Sequence, residues 1–209
     1  MEALTSEGGL VVDPNVALRG SYDSEAVARA IPAHWVAKGM FFSRLSEILG
    51  PDLEALASKL DAPPRRGRYT AFLDYPQRDY ERLTAAAARK LYPNLAMSEA
   101  TRRLGREDFE VFGSSTIGKV TLAVVGDAHA ALLMTPSIYK KMAPGEYTFE
   151  GRALDDRSVR FELQPSYGHF AYPLGQFEGV VMHYGVRPRT VVKELAEHKL
   201  RLDITIEER

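Results

Sequence analysis

A chain of 209 residues with 45% apolar content is long enough to bury its own core, and it carries no cysteine, which removes disulfides, thiolate metal sites and cysteine nucleophiles together. Its 27 basic and 28 acidic side chains nearly cancel, so no overall field draws it to nucleic acid or anionic lipid. No basic run followed by an apolar run opens the chain, and no segment reaches the roughly 20 apolar residues that span a bilayer, so a cytoplasmic protein is expected.

Residues 1–23 scatter Gly and Pro around a brief apolar burst at Leu10–Val12, which predicts a loose arm with one edge strand; residues 24–209 are expected to form a single domain. Ala33–Ala37 is strand-like, and Met40, Phe41, Leu45, Ile48 and Leu49 recur at helical spacing until Gly50 stops the run. A short helix with Leu53, Leu56, Ala57 and Leu60 on one face leads into the basic loop Arg65-Arg66-Gly67-Arg68. Pro76 suits a first helical turn; after it, QRDYERLTAAAARKLY sets Tyr80, Leu83, Ala87 and Leu91 on one side, and Pro93 closes the segment. Ser98 as N-cap and Gly105 as stop bracket a further short helix. Apolar helical stretches continue through Phe109–Phe112, Ile117–Val125, Ala130–Met134 and Ser137–Met142.

After Pro144-Gly145 the period changes. Glu146–Leu154 and Ser158–Leu163 alternate as strands about a DDRS turn, Leu174–Tyr184 returns to helical spacing, and Thr190–Leu195 with Leu200–Ile206 make a second strand pair. Leu200, Leu202, Ile204 and Ile206 share one face of the last strand. The expected fold is α+β, a helical N-terminal half packed on an antiparallel sheet with β-β-α-β-β order in the C-terminal half.

Chemical motifs are sparse. Gly113-Ser-Ser-Thr-Ile-Gly118-Lys119 matches the phosphate-loop pattern, whose backbone N–H groups and lysine wrap phosphates. Val120 follows where a magnesium-holding Ser or Thr belongs, and the surroundings are helical, so a break between two helices is expected. The five histidines, His34, His129, His169, His183 and His198, show no spacing that sets two ligands on one helix face, and no metal site is expected. No serine elbow occurs, and the acidic pairs Asp155-Asp156 and Glu207-Glu208 fall in a turn and near the terminus. Arg65, Arg66, Arg68, Arg102, Arg103 and Arg106 could contact phosphates, but no reading helix or stacking strand accompanies them. They read as solvated faces, and nucleic acid is not an expected partner.

The stretch from Gln164 to Pro188 concentrates aromatic rings, histidine, proline and glycine. Its helix sets Leu174, Phe177, Val181 and Tyr184 on one face, while Gly175 and Gly179 leave a smooth strip suited to a sheet or to a second chain. Tyr167, His169 and Tyr172 precede it, with apolar rings and polar tips suited to a pocket mouth.

The run YPQRDYERLTAAAARKLYPNLAMSEATRRLGREDFEVFGSSTIGK, with the later YPLGQFEGV helix and the closing alternating strands, resembles a myxobacteria-restricted family of proteins of similar length and unknown function. The resemblance covers Trp35 to Ile206; its most specific pieces are Leu91-Tyr92-Pro93, Glu99-Ala100, Arg103-Leu104-Gly105-Arg106, and Thr116 with Gly118. The element order is also similar to a fold group containing haem-nitric-oxide-binding sensors, vinyl-reductase-like domains and subunits of vesicle-tethering complexes. That likeness implies a histidine ligand for haem on the helix before the sheet. The comparable stretch LLMTPSIYKKMAP holds Tyr139 instead, and the Tyr-x-Ser-x-Arg pattern that clamps the propionates is missing, so haem is disfavoured and no cofactor is expected.

The function expected from these readings is a non-enzymatic cytoplasmic regulatory or sensory domain that binds a small apolar or amphipathic ligand and pairs with a second copy or a protein partner. The ligand would lie between helices and sheet, against Trp35, Phe41, Phe112, Tyr139, Tyr167, His169, Tyr172, Phe177 and Tyr184. Two alternatives stay open. One is a ligand-free adaptor docking through a flat apolar surface around Gly175, Gly179 and Met182; the other is an enzyme with dispersed catalytic residues, marked by His169 or His183 beside a carboxylate.

Overall fold

Residues 9–65, 67–114 and 116–208 are described by a computed structural model of the protein; residues 1–8 of the expected arm and Arg66 of the basic loop lie outside them. Strand β1 (Leu10–Val12) is followed by α1 (Ser24–Ala30), which the apolar spacing does not announce but the capping chemistry does: the Asp23 carboxylate accepts the N–H groups of Glu25 and Ala26 at 3.0 and 3.1 Å. A two-stranded ribbon, β2 (Val36–Lys38) with β3 (Asp74–Pro76), brackets α2 (Gly39–Leu49), α3 (Asp52–Leu56) and a 3-10 turn at Ala57–Lys59. Gly50 ends α2 at φ 54°, in the left-handed region that glycine enters at little cost. The ribbon hands the chain to α4 (Gln77–Leu91), with the Gln77 N–H donating to the Trp35 carbonyl at 2.9 Å.

The helices α5 (Met97–Ser114), α6 (Thr116–Val125) and α7 (Ala128–Met142) complete the helical half. Here one expectation fails: Gly105 does not stop a short helix but lies inside α5, and Ser98 sits in its first turn. Glycine at that point serves the flank of the helix, because a Cβ there would overlap the Tyr172 carbonyl of the neighbouring helix. Local propensity yields to tertiary packing when backbones must come this near.

The C-terminal half follows the expected order: β4 (Thr148–Asp155), β5 (Ser158–Gln164), α8 (Ala171–His183), β6 (Arg187–Ala196) and β7 (Lys199–Glu207). They build an antiparallel five-stranded sheet in the order β1-β6-β7-β5-β4. Period-two alternation decides its faces. Val159, Phe161, Val192, Leu200, Leu202 and Ile204 turn inward against Leu174, Phe177 and Val181 of α8. The other face carries cross-strand ion pairs, Arg160 with Asp203 and Arg201 with Glu162.

A second core lies among α2, α4 and α5, around Phe42, Leu45, Leu83, Ala87 and Leu104. The two cores meet where α8 lies along α5. A Cβ on Gly175 would overlap the Arg102 carbonyl, and one on Gly179 would stand 2.7 Å from Phe109 Cβ. The glycine strip on α8 is therefore covered by α5 and is closed to a second chain, against the adaptor surface expected there.

Beside that contact lies a buried ion-pair network. Arg102 of α5 donates to both carboxylate oxygens of Glu178 on α8, to Glu99, and to the carbonyls of Asp13 and Val16. Arg106 reaches Glu178 at 2.7 Å, and Glu99 accepts the Leu18 N–H at 2.9 Å. Arg102 and Arg106 thus face inward to carboxylates, and the expected reading of both as a solvated face does not hold. Along residues 9–23 the expected arm is held by these bonds and by the pairing of β1 with β6. No helix among the described residues is long and apolar enough to cross a membrane.

Candidate functional site

The seam between the two cores is built of tyrosines. On α4, Gln77, Tyr80, Glu81 and Thr84 fall on one side at helical spacing while Leu83, Ala87 and Ala88 enter the core of the helical half. Tyr139 comes from the last turns of α7, Tyr147 and Phe149 from the start of the sheet, Tyr172 from the first turn of α8, and Tyr22 from the segment before α1. The Tyr147 hydroxyl donates to the Ala143 carbonyl, which ties the exit of α7 to the strand that follows.

Three ring groups result. In the first, Tyr167 meets Trp35 at 5.4 Å, Trp35 meets Tyr147 at 5.4 Å, Tyr147 meets Tyr139 at 6.0 Å, and Tyr139 meets Phe149 at 5.5 Å. Phe149 then reaches Phe177, which stacks on Phe161 at 4.6 Å. In the second, Phe41 packs on Tyr80, and the Tyr80 and Tyr172 hydroxyls are hydrogen-bonded. Tyr172 donates on to Asp108 at 2.6 Å, and Asp108 also accepts from Arg44. In the third, the Tyr22 ring stacks on His169 at 4.0 Å, with its hydroxyl 3.2 Å from Thr101.

Burial governs the protonation of these groups. It pushes the phenols of Tyr80, Tyr139 and Tyr172 up, with the Asp108 carboxylate adding to the effect at Tyr80 and Tyr172 and that of Glu81 at Tyr139. Burial lowers the His169 imidazole to about 4, so it is neutral at physiological pH. It pushes the Glu81 carboxyl up to about 7, against a small lowering by Tyr22.

Tyr80, Glu81, Tyr139 and Tyr172 lie deep in the protein, yet each keeps part of its surface accessible. Trp35 Nε1 and, on α4, Gln77 Oε1, Glu81 Oε1 and Thr84 Oγ1 are buried without a hydrogen-bond partner. Buried polar atoms left unmatched are uncommon in folded proteins and cost about 1–3 kcal/mol each.

The expected site residues do not gather into one pocket. Trp35, Tyr139, Tyr167 and Phe177 share the first ring group, Phe41 and Tyr172 the second, and His169 the third. Phe112 packs against Phe109, and the Tyr184 hydroxyl donates to the Leu122 carbonyl. Tyr22, Tyr80, Glu81, Thr84 and Tyr147 were not among the expected residues. On α4 the spacing sets Tyr80 on the apolar side with Leu83 and Ala87, while no local pattern marks Glu81 and Thr84 as covered. The phosphate-loop match runs from the last turn of α5, where Gly113 is buried, into α6, where Lys119 is exposed; Ser115 between them lies outside the described residues. That is a helix-to-helix setting, not the strand-to-helix one the motif needs.

Solved structures of the same fold are H-NOX proteins. Fe(II) unliganded H-NOX from K. algicida shares 15% identity at a TM-score of 0.63, covering 82% of this chain and 97% of that one. H-NOX from S. oneidensis in the Fe(II)NO ligation state shares 14% at 0.64, covering 82% and 99%. An H-NOX structure that probes heme distortion in its family shares 19% at 0.59, covering 82% and 95%. At these identities the likeness establishes the fold alone. It overturns the expectation that set haem aside: the chain has the fold of proteins solved with iron bound, so a missing histidine on α7 is no ground for dismissing the cofactor.

For haem iron the protein offers an oxygen donor, not a histidine, on the helix before the sheet. Tyr139 offers a phenol from the helix that precedes the sheet, among aromatic walls and unmatched buried polar atoms. His169 does not fit as it stands, since its Nδ1 accepts the Ala171 N–H at 3.2 Å and the neutral ring then carries its proton on Nε2. Among the described residues no group of three or more His, Cys, Asp or Glu could hold a bare metal ion.

No curated protein matches the chain. A family model covers residues 29–205, nearly the whole span of the resemblance read from the sequence, and the chain belongs to the family described as Protein of unknown function (DUF2378).

Proposed function

We propose that the protein is a sensory domain that holds a small apolar or amphipathic ligand between its helical half and its sheet. The observation that carries this reading is the seam of aromatic rings, Trp35, Tyr139, Tyr147, Phe149 and Phe177, together with the unmatched buried oxygens of Gln77, Glu81 and Thr84 on α4. Rings supply an apolar wall for the body of a ligand, and a few polar tips orient it, the usual make-up of a small-molecule site. Likeness to H-NOX proteins supports the reading, because that fold carries a ligand in its neighbours. Absence of cysteine supports placing the domain in a reducing cytoplasm. A homodimer draws no support from the glycine strip, which α5 covers.

Haem is one ligand of this description, with Tyr139 as the residue to hold its iron. Haem, when bound, supplies an iron with an open position for a diatomic gas. The chain's own part is to hold the ring system between aromatic walls and to keep water from it.

The test is to titrate haemin into the purified full chain, following absorbance, and to weigh the same preparation intact by native mass spectrometry. One haemin per chain, or another retained small molecule, is expected, with haemin affinity at least about tenfold lower in Tyr139→Phe if the phenol is the iron ligand. A chain that always weighs its bare mass, and whose melting temperature moves with neither haemin nor small aromatic probes, would sink the reading.

A further inference from the structure

The five-stranded sheet ends on one side in β4, a strand of 8 residues whose outer edge pairs with no strand among the described residues; the opposite edge is β1, of 3 residues. On the face turned from the core, β4 carries Glu150 and Arg152, both exposed and neither in an ion pair or side-chain hydrogen bond among the described residues. Their cross-strand neighbours bear the same charge, Glu150 lying opposite Glu162 and Arg152 opposite Arg160. Like charges set directly opposite destabilise a sheet. Glu162 and Arg160 are answered from their other side, by Arg201 at 2.8 Å and Asp203 at 2.6 Å. One unanswered charge of each sign is left on the free edge. A groove of about 570 Å³ runs beside it, lined by Leu133, Pro136 and Ser137 of α7 with Phe149, Gly151 and Arg152, so the helix does not close that edge.

We propose that β4 pairs with β4 of a second copy of this chain, antiparallel and about a two-fold axis through Gly151, so that the two five-stranded sheets become one. An axis perpendicular to the sheet keeps core face with core face, and about Gly151 it sets Glu150 of each copy opposite Arg152 of the other. Moving the axis by one residue sets glutamate against glutamate at 150 or arginine against arginine at 152. Charge therefore selects the register. The irregularity between Ala153 and Asp155 ends the regular edge, and the pairs from Phe149 to Ala153 are complete before it. On the core side α7 crosses near the axis, since a Cβ on Gly151 would stand 3.1 Å from Pro136 Cγ, and its exposed Leu133 gives each copy an apolar contact for the other.

Sedimentation equilibrium of the full chain tests the pairing. The wild-type protein is expected to pass from monomer to dimer as concentration rises. Glu150→Arg and Arg152→Glu should each weaken the dimer at least about tenfold, because each replaces two opposite-charge contacts across the axis by two like-charge ones. The double variant should pair as the wild type does. An equal mixture of the two single variants should form a mixed dimer, in which every contact is again opposite in sign. Each single change also turns a like-charge pair inside the chain into an opposite one, so its melting temperature should hold or rise, which separates lost pairing from lost folding. A wild-type chain that stays monomeric up to about millimolar concentration overturns the proposal, as does a dimer that both single variants leave intact or a mixture in which they do not rescue each other.

Discussion

At the level of single residues, Glu81 makes folding sensitive to pH in a way that can be signed. Burial raises its carboxyl from 4.5 in the open chain to about 7 in the folded one. The folded protein therefore holds a proton that the unfolded chain has released across that window. This contribution to stability is complete below 4.5 and is lost as pH rises through about 7, a change of about 3 kcal/mol at 1.36 kcal/mol per unit. Tyr22 and Tyr139, whose phenols burial raises and the Glu81 charge raises further, do not titrate there. His169, stacked on Tyr22, acts with the opposite sign: its imidazole falls from 6.5 to about 4, so its contribution is present above 6.5 and is lost towards acid. Urea unfolding of wild type and Glu81→Gln across this range cancels His169 in the difference. The variant should gain about 3 kcal/mol on the wild type from acid to mildly alkaline pH; parallel curves would show that the carboxyl is not buried uncharged. Nothing in DYERLT marks this residue, because a glutamate beside an arginine on a helix is the pattern of a solvated face.

At the level of elements, α5 and α8 are the pair on which the two cores depend. Glycines at 105, 175 and 179 let the backbones come together, and any side chain at those points must push them apart. Gly175→Ala should destabilise by about 1–3 kcal/mol, a fall in melting temperature on the order of 3–10 °C by circular dichroism for a chain of this size. Gly168→Ala, where a Cβ would meet nothing within 4 Å, should change stability by no more than about 0.5 kcal/mol. Equal effects at both positions would mean that backbone freedom and not helix contact is what glycine provides. The small-residue strip on α8 was legible as a place of tight approach, though its partner was not. Gly105 was misread for the same reason: chain-local rules make glycine a helix end, and only the neighbouring helix gives it another task.

At the level of the whole molecule, Arg102 binds three parts of the chain into one. It joins α5 to Glu178 of α8 and to the carbonyls of Asp13 and Val16, and so fixes the segment that leads from the edge strand β1 back to the helices. Arg102→Ala would leave Glu178 and Glu99 buried with too few partners, a loss of about 3–5 kcal/mol. Amide exchange along residues 10–18 should speed up more than exchange in β5 and β7. A variant within about 1 kcal/mol of wild type, with β1 still protected, would show that the strand is held by its pairing with β6 alone.

The sequence by itself determined the α+β class, the β-β-α-β-β order and the faces of the strands, because periods of two and 3.6 are set by backbone geometry and survive in any context. Trp35, Tyr139, Tyr167 and Phe177, which the sequence suggests as ligand-lining residues, belong in the structure to one group of touching rings. Tertiary structure alone decided that α5 runs through Gly105, that Arg102 turns inward, that Phe112 packs on Phe109 and Tyr184 bonds the Leu122 carbonyl, and that Glu81 Oε1 is buried without a hydrogen-bond partner. Each of these depends on contacts between residues far apart in the chain. Whether a polar side chain meets water or a ring is a property of what folds over it, and no local pattern encodes that.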